Sequence, residues 1–497
     1  MTFLRNLAAN AAVRVLALSA LLAAAPLAAV RYSAAVLDPD IWWHLRTGDT
    51  ILQTGSFPHT GVFSWVASSN PWIAYSWLFE LLASRVFHAL GLAGLPTLHF
   101  ILQIALATAL FGCLHAVSGS FWRAFTLSAV GVAAFFYTMT LRPMILSELF
   151  FVIELALIFS ALRRRAIRPL FWLLPLFILW ANCHIQFVDG LAVLVLFAVS
   201  LSAQEMLYRR GWFSEASPLP AARVWLILAA CALATLIGPY GARIYQVVWL
   251  YATQPAQWQQ YIELAAPNFR RPAHYVELLL AISAGFLLGR RSLRTLFAPA
   301  LLVATAALSF HAMRDAWLLG IAALFICAEA LRASGEQPVE PRARGASLVL
   351  AGGAVLALLL SLGAQSRSGF STEVLARRID VAYPVRAAEF LRRSHLPGPL
   401  YNPVNWGGFL IFNLREYPVS FDDRSDAYGG SLHAYERSAR GGLEWRVDPV
   451  LQRSNIILIE LDSPLVPLLI SDPSFQPVYR DHLAVIFVRK AAVGDKR

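Results

Sequence analysis

The stretch Leu37-Asp38-Pro39-Asp40-Ile41-Trp42-Trp43-His44 sets two carboxylates on either side of a proline, directly after a long apolar run. Pro39 restricts the backbone between them. Such a pair offers oxygen ligands to a divalent cation, Mg or Mn, or lets one member act as a general base. A helix starting here would put Asp40 and His44 on one face. The plainer reading is that Asp40 N-caps that helix and that Trp42 and Trp43 belong to an interfacial aromatic belt.

Further ionisable or polar side chains interrupt otherwise apolar stretches: Glu80, Arg142, Glu148, Asn182, His184, Gln186, Asp189, Arg314 and Asp315. Ionisable groups at membrane depth are costly and normally face a cavity or a partner. Arginine suits phosphate because its donor fork is fixed, which makes Arg142 and Arg314 candidates for an anion. His184 and His44 are candidates for ligand contact or proton handling, and Glu80 and Asp189 for acceptor contact or accessory roles. Each has a structural alternative. Arg142 precedes Pro143 and can snorkel to the interface. Arg314 can pair with Asp315 or another loop acid. His184 and Asn182 can hydrogen-bond between helices.

The elements that must position these residues are membrane helices. The chain has 497 residues, 58% of them hydrophobic and only 14% charged, where a soluble domain carries roughly 25% charged residues. Apolar runs at 13–36, 96–117, 122–140, 145–162, 169–182, 189–207, 222–240, 274–289, 296–311, 314–332 and 346–364 make roughly 11 spans of bilayer length. Basic clusters between them decide the orientation: Arg163-Arg164-Arg165, Arg209-Arg210, Arg290-Arg291 with Arg294, and Arg342 with Arg344. All fall in the cytoplasm, as the positive-inside rule demands, if 76–93 lies in the interface as an amphipathic helix rather than spanning. Arg270 and Arg271 are exceptions. The N-terminus is then cytoplasmic, the first run an uncleaved signal anchor, and 365–497 lies outside, in the periplasm of a bacterium. The expected domains are 1–364, a membrane part including the outer loop 37–94 with interfacial helices, and 365–497, a soluble α/β domain. The net charge of +11 is accounted for by these clusters, and no stacking platform or basic recognition helix accompanies it, so nucleic acid is excluded as a partner. Cys113, Cys183, Cys231 and Cys327 read as apolar buried thiols.

The outer loop DPDIWWHLRTGDTILQTGSFPHTGVFSW, followed by NPWIAYSWLFELL, resembles bacterial membrane proteins of the GT-C glycosyltransferase superfamily, which includes protein O-mannosyltransferases, aminoarabinose transferases and oligosaccharyltransferases. Their shared mark is an acidic pair in the first outer loop, matched here by Asp38 and Asp40. LRPMILSELF at 141–150, WANCHIQFVDG at 180–190, GPYG at 238–241, HAMRDAWL at 311–318, YNPVNWGGFLIF and VSFDDRSDAY are similar to the same group. The resemblance implies inverting transfer of a sugar from a polyprenyl-phosphate-linked donor at the membrane to a protein, lipid or glycan acceptor. Asp40 would be the base or metal ligand, Asp38 would assist, and Arg142 and Arg314 would meet the lipid phosphate. The acceptor-binding WWDYG motif of oligosaccharyltransferases has no counterpart in Asn405-Trp406-Gly407-Gly408.

Within 365–497 the pattern predicts a helix over 383–395 and strands near 399–402, 418–422, 455–460 and 483–489, with Asn405-Trp406-Gly407-Gly408 and Asp422-Asp423-Arg424-Ser425-Asp426 in loops. The second cluster reads as a cation or acceptor site or as a turn with local hydrogen bonds. The chain has no P-loop, dinucleotide fingerprint or HExxH. A transporter or flippase of lipid-linked glycans, or a non-catalytic GT-C-like scaffold, would use the same polar residues without transfer. Glu154, deeper in its span, favours the transporter, and the lack of internal repeats disfavours it.

Overall fold

The computed structural model describes residues 10–32, 34–136, 140–253, 262–290, 295–332, 352–357, 359, 363, 371–428, 431–439 and 441–490. In chain order the main elements are α1 (Ala11–Tyr32), α2 (Asp40–Thr54), α3 (Trp77–Leu90), α4 (Gly94–Ser118), α5 (Phe121–Gly131), α6 (Met144–Arg164), α7 (Leu173–Cys183), α8 (Phe187–Arg209), α9 (Ala221–Ala234), α10 (Ile244–Thr253), α11 (Pro272–Gly289), α12 (Phe297–His311), α13 (Ala316–Ala330), α14 (Thr372–Ala382), α15 (Val385–Ser394), β1 (Leu400–Tyr401), α16 (Val404–Asn413), β2 (Ile456–Glu460), β3 (Phe475–Arg480) and β4 (Ala484–Arg489). The chain divides into two compact units, one of Met1–Tyr32 with Thr97–Ser368 and one of Ser33–Pro96 with Gly369–Arg497.

The first unit is helical. Met144–Arg164, Phe187–Arg209 and Pro272–Gly289 are long and apolar enough to cross a membrane, as is Trp77–Ser118, whose residues up to Pro96 belong to the second unit; shorter apolar helices accompany them. A helix occupies each apolar run read between 96 and 332, while of the run at 346–364 only 352–357, 359 and 363 are among the described residues, all of them helical. The segment 76–93, read as interfacial, forms α3 and continues through a short 3-10 turn into α4. The local signals are those expected. Pro272 sits at the first position of α11, and Arg163 and Arg164 lie in the last turn of α6, where the helix dipole favours cations. The core is built around α13, in which every residue from Trp317 to Ala328 is buried. Such a helix, apolar on all sides, belongs at the centre of a bundle. Trp317 meets Phe151 edge to face at 5.3 Å, and Phe325 lies 5.8 Å from Phe159. The outer surface is apolar as well: Leu279, Ile282 and Phe286 on α11 and Leu226 and Leu233 on α9 are all exposed, the pattern of helices that face lipid.

The second unit holds one sheet of order β1-β2-β4-β3. β1 runs parallel to β2, and β4 is antiparallel to both β2 and β3. α15, β1, β2 and β4 fall where the sequence pattern places them. β3 was not foreseen, because Pro477 interrupts FQPVYR; it is an edge strand with a register shift between Pro477 and Tyr479, where proline is tolerated. The strand predicted near 418–422 is reduced to a single bridge, Ser64 to Val419, because the surrounding backbone groups are taken up by Phe63, Trp65 and Asn402. Residues 37–94, grouped from composition with the membrane part, cluster with the C-terminal residues. Trp65 Nε1 donates to Leu400 O (2.8 Å), Asn70 Nδ2 to Ala427 O (2.8 Å) and Tyr383 OH to Leu37 O (2.9 Å).

Asn405-Trp406-Gly407-Gly408 is helical, not a loop, and its glycines serve close approach. A Cβ on Gly407 would lie 2.1 Å from Phe421 O, and one on Gly408 would lie 2.3 Å from Pro39 O. α16 thus presses on the backbone between the two aspartates. Elsewhere in a helix, glycine to alanine is stabilising by about 0.5–1 kcal/mol. Here Gly408→Ala is expected to lower the melting temperature of the purified chain by an overpacking cost of about 1–3 kcal/mol; a raised melting temperature would contradict the close approach.

Candidate functional site

In the second unit, Asp38 Oδ1 accepts the backbone N–H of Asp40 at 2.9 Å. Pro39, not Asp40, is the N-cap of α2, and Asp38, one residue before it, satisfies the first N–H of the helix. Asp38 is buried, whereas Asp40 is only partly so. Asp40 stands in the first turn of α2, where the helix dipole favours a negative charge, and its Oδ1 accepts Trp43 Nε1 at 3.2 Å. Trp42 and Trp43 form no interfacial belt. Both are buried, Trp42 against Tyr383 and Phe409 and Trp43 against Trp72.

His44 turns to Glu80, with Nδ1 and Oε1 3.1 Å apart and both side chains buried. This pair joins α2 to α3 where Gly48 lets the helices touch: a Cβ there would lie 2.2 Å from Glu80 O. One turn further along, Asp49 takes Ser84 Oγ (2.7 Å), His88 Nε2 (2.8 Å) and Arg415 Nη2 (2.9 Å). Asp49 and Arg415 were missed by sequence reading. An exposed-looking Thr-Gly-Asp gives no sign of a partner hundreds of residues away.

The Asp422–Asp426 cluster is a structural knot. Arg424 is fully buried and binds Asp422 through two parallel contacts, Nε to Oδ1 at 2.8 Å and Nη2 to Oδ2 at 2.7 Å. Its guanidinium lies 4.6 Å from the ring centre of Trp72 and 5.1 Å from that of Phe63. Tyr428 OH also donates to Asp422 Oδ2. Burial disfavours the charge on Arg424, but Asp422 outweighs it and holds the guanidinium above its ordinary range. Burial pushes Asp426 up to about 6, against the pull of Arg424.

In the first unit, four of the quoted sequence stretches meet. Ser147 Oγ hydrogen-bonds His184 Nδ1 (2.8 Å) and accepts Trp180 Nε1 (2.8 Å). Asn182 Nδ2 donates to Ile237 O (2.7 Å), beside Gly238, where a Cβ would lie 2.3 Å from the Asn182 amide oxygen. These contacts realise the interhelical alternative for both residues. Gln186 Nε2 reaches Asp315 Oδ1 at 3.4 Å, and Asp189 lies within electrostatic range of Asp315 and Arg314. Arg142 and Arg314 converge on one carboxylate: Nη1 of each lies 3.5 Å and 3.8 Å from the two oxygens of Glu263. Glu263 is the loop acid left unnamed in the sequence, where nothing around Ile262-Glu263-Leu264 marks it. Glu148 and Glu154 are buried with both carboxylate oxygens lacking a hydrogen-bond partner among the described residues.

Among the described residues no three or more His, Cys, Asp or Glu side chains are grouped to hold a metal ion.

No protein-family model matches the chain, and no curated protein matches it in sequence. Among solved structures, the oligosaccharyltransferase AglB of the archaeon Archaeoglobus fulgidus, in complex with an inhibitory peptide and a dolichol-phosphate, aligns over 89% of this chain and 69% of its own, at 11% identity and a TM-score of 0.51. The apo form of the Archaeoglobus fulgidus oligosaccharyltransferase aligns over 90% and 69%, at 9% identity and a TM-score of 0.49. The shared property is the fold: the chain has a GT-C-like architecture.

Proposed function

We propose that this chain is an inverting membrane glycosyltransferase that moves a sugar or glycan from a polyprenyl-phosphate-linked donor to an acceptor outside the cytoplasm. The observation that carries this reading is an acidic pair set at the head of a helix in a chain of GT-C-like fold. The dolichol-phosphate and peptide in the archaeal complex support a lipid-linked donor and leave a peptide among the candidate acceptors, beside lipid and glycan. We place the chain in the bacterial inner membrane as a multi-pass protein with roughly 11 spans, a cytoplasmic N-terminus and a periplasmic C-terminal domain.

The roles follow from residue chemistry. Asp40, partly exposed in the first turn of α2, takes the proton of the acceptor nucleophile as that atom bonds to the anomeric carbon. The bond from that carbon to the phosphate oxygen breaks, and the lipid phosphate leaves with the electron pair. Asp38 keeps the start of α2 in place. Arg142 and Arg314 offer guanidinium donors to a phosphate. Asp38 and Asp40 would hold Mg or Mn through their two carboxylates, with waters and donor phosphate oxygens completing the shell, and the cation would supply charge stabilisation of the leaving phosphate. His44 and Glu80 join helices rather than face a substrate, and His184 and Asp189 serve the surroundings of the arginine pair.

A transporter of lipid-linked glycans is the second reading, favoured by Glu148 and Glu154, buried and without a hydrogen-bond partner among the described residues. The test of the proposal is mass-spectrometric profiling of envelope glycans in cells with and without the chain. Loss of a defined glycan from its acceptor, with the lipid-linked donor accumulating, is expected. An unchanged glycan and donor profile in the deletion would overturn the proposal.

A further inference from the structure

Glu263 sits where two cations meet. Arg142 and Arg314 come from different parts of the sequence, just before α6 and just after α12, and both direct Nη1 at its carboxylate. The contacts are loose, at 3.5 and 3.8 Å, and the side chains are accessible: Glu263 is 45% exposed, Arg142 27% and Arg314 29%. Ion pairs of this kind, open to water and longer than a hydrogen bond, are weak and exchange readily. One carboxylate is shared between the two guanidiniums, each held through a single Nη1 contact. A phosphate monoester brings up to two negative charges and three oxygens, and it matches the guanidinium fork better.

We infer that Glu263 is a built-in competitor for the phosphate that Arg142 and Arg314 bind. This rests on the reading of the arginine pair as a phosphate site. Glu263 holds the two arginines together while the site is empty and is displaced when a phosphate arrives. It thereby weakens product retention, because a spent lipid phosphate must compete with an anion that never diffuses away. The arginines stay pre-assembled, and the site still releases its ligand.

The experiment measures binding of farnesyl phosphate, and separately of inorganic phosphate, to the purified full chain in lipid nanodiscs at pH 8. Proteins compared are the wild type, Glu263→Gln, Glu263→Ala and the double variant Arg142→Ala with Arg314→Ala. Removing the competitor is expected to tighten binding about three- to tenfold in both Glu263 variants, the scale of one or two exposed ion pairs. The double arginine variant is expected to lose binding. If the arginine variant loses binding while both Glu263 variants bind as the wild type does, or more weakly, the competitor role is refuted and the phosphate site stands. If the arginine variant, shown by thermal unfolding to be folded, binds as tightly as the wild type, the phosphate site fails and the inference fails with it. A gain seen with farnesyl phosphate alone assigns the site to a lipid headgroup, and an equal gain with inorganic phosphate assigns it to phosphate as such.

Discussion

Asp40→Asn is expected to lower glycan transfer by about 10²- to 10⁴-fold, the usual weight of a general base, and to leave the protein folded. An amide can keep the contact in which Oδ1 accepts Trp43 Nε1. The helix start does not depend on the Asp40 carboxylate, because the oxygen that accepts the first helical N–H belongs to Asp38. Asp38→Ala is the complementary change. It removes the hydrogen bond to the Asp40 N–H, worth about 1 kcal/mol, so it lowers stability as well as transfer, whereas Asp40→Asn lowers transfer alone. The measurement is transfer in membranes containing equal amounts of each protein, paired with thermal unfolding. Full transfer by Asp40→Asn would remove the base from the mechanism. It would also move the balance to the transporter, which needs no base.

Asp422→Asn is expected to destabilise the second unit by about 3–5 kcal/mol, because it takes from the buried Arg424 guanidinium the carboxylate that pairs with it through two contacts. Arg424 is 2% exposed, and among the described residues its Nη1 already lacks a hydrogen-bond partner. Removing both members, as Asp422→Leu with Arg424→Met, is expected to cost much less, since a buried pair replaced by apolar groups is often near neutral. Thermal unfolding and limited proteolysis of the three proteins check this. A single variant as stable as the wild type would mean that water reaches the guanidinium. A double variant as unstable as the single one would show that the rings of Phe63 and Trp72 need the cation itself.

Both predictions concern residues that the sequence displays openly, but their roles differ from what spacing alone indicates. Asp38-Pro39-Asp40 announces a helix start and an acidic pair, and both are found. Which acid satisfies the first N–H of the helix and which is partly exposed depends on where α16 lies, and that is set by Gly408 against Pro39. Asp422-Asp423-Arg424-Ser425-Asp426 looks like a solvated polar turn. Its burial follows from Phe63 and Trp72, contributed by a loop more than three hundred positions earlier.

Helices were legible because apolar runs of that length, bounded by prolines and arginines, have few alternatives in a chain this hydrophobic. α15, β2 and β4 were legible because each carries its own period. The general placement of polar groups in the first unit was legible too, since ionisable residues in apolar runs stand out. What only the tertiary structure decided are the pairings: His44 with Glu80, His184 with Ser147, Arg142 and Arg314 with Glu263, and Asp49 with Arg415. The reason is physical. Periodicity and caps report on neighbours within a turn or a strand, while a pairing depends on which distant backbones approach closely enough. That approach is controlled by small residues such as Gly48, Gly238, Gly407 and Gly408, whose missing side chains leave no mark on local pattern.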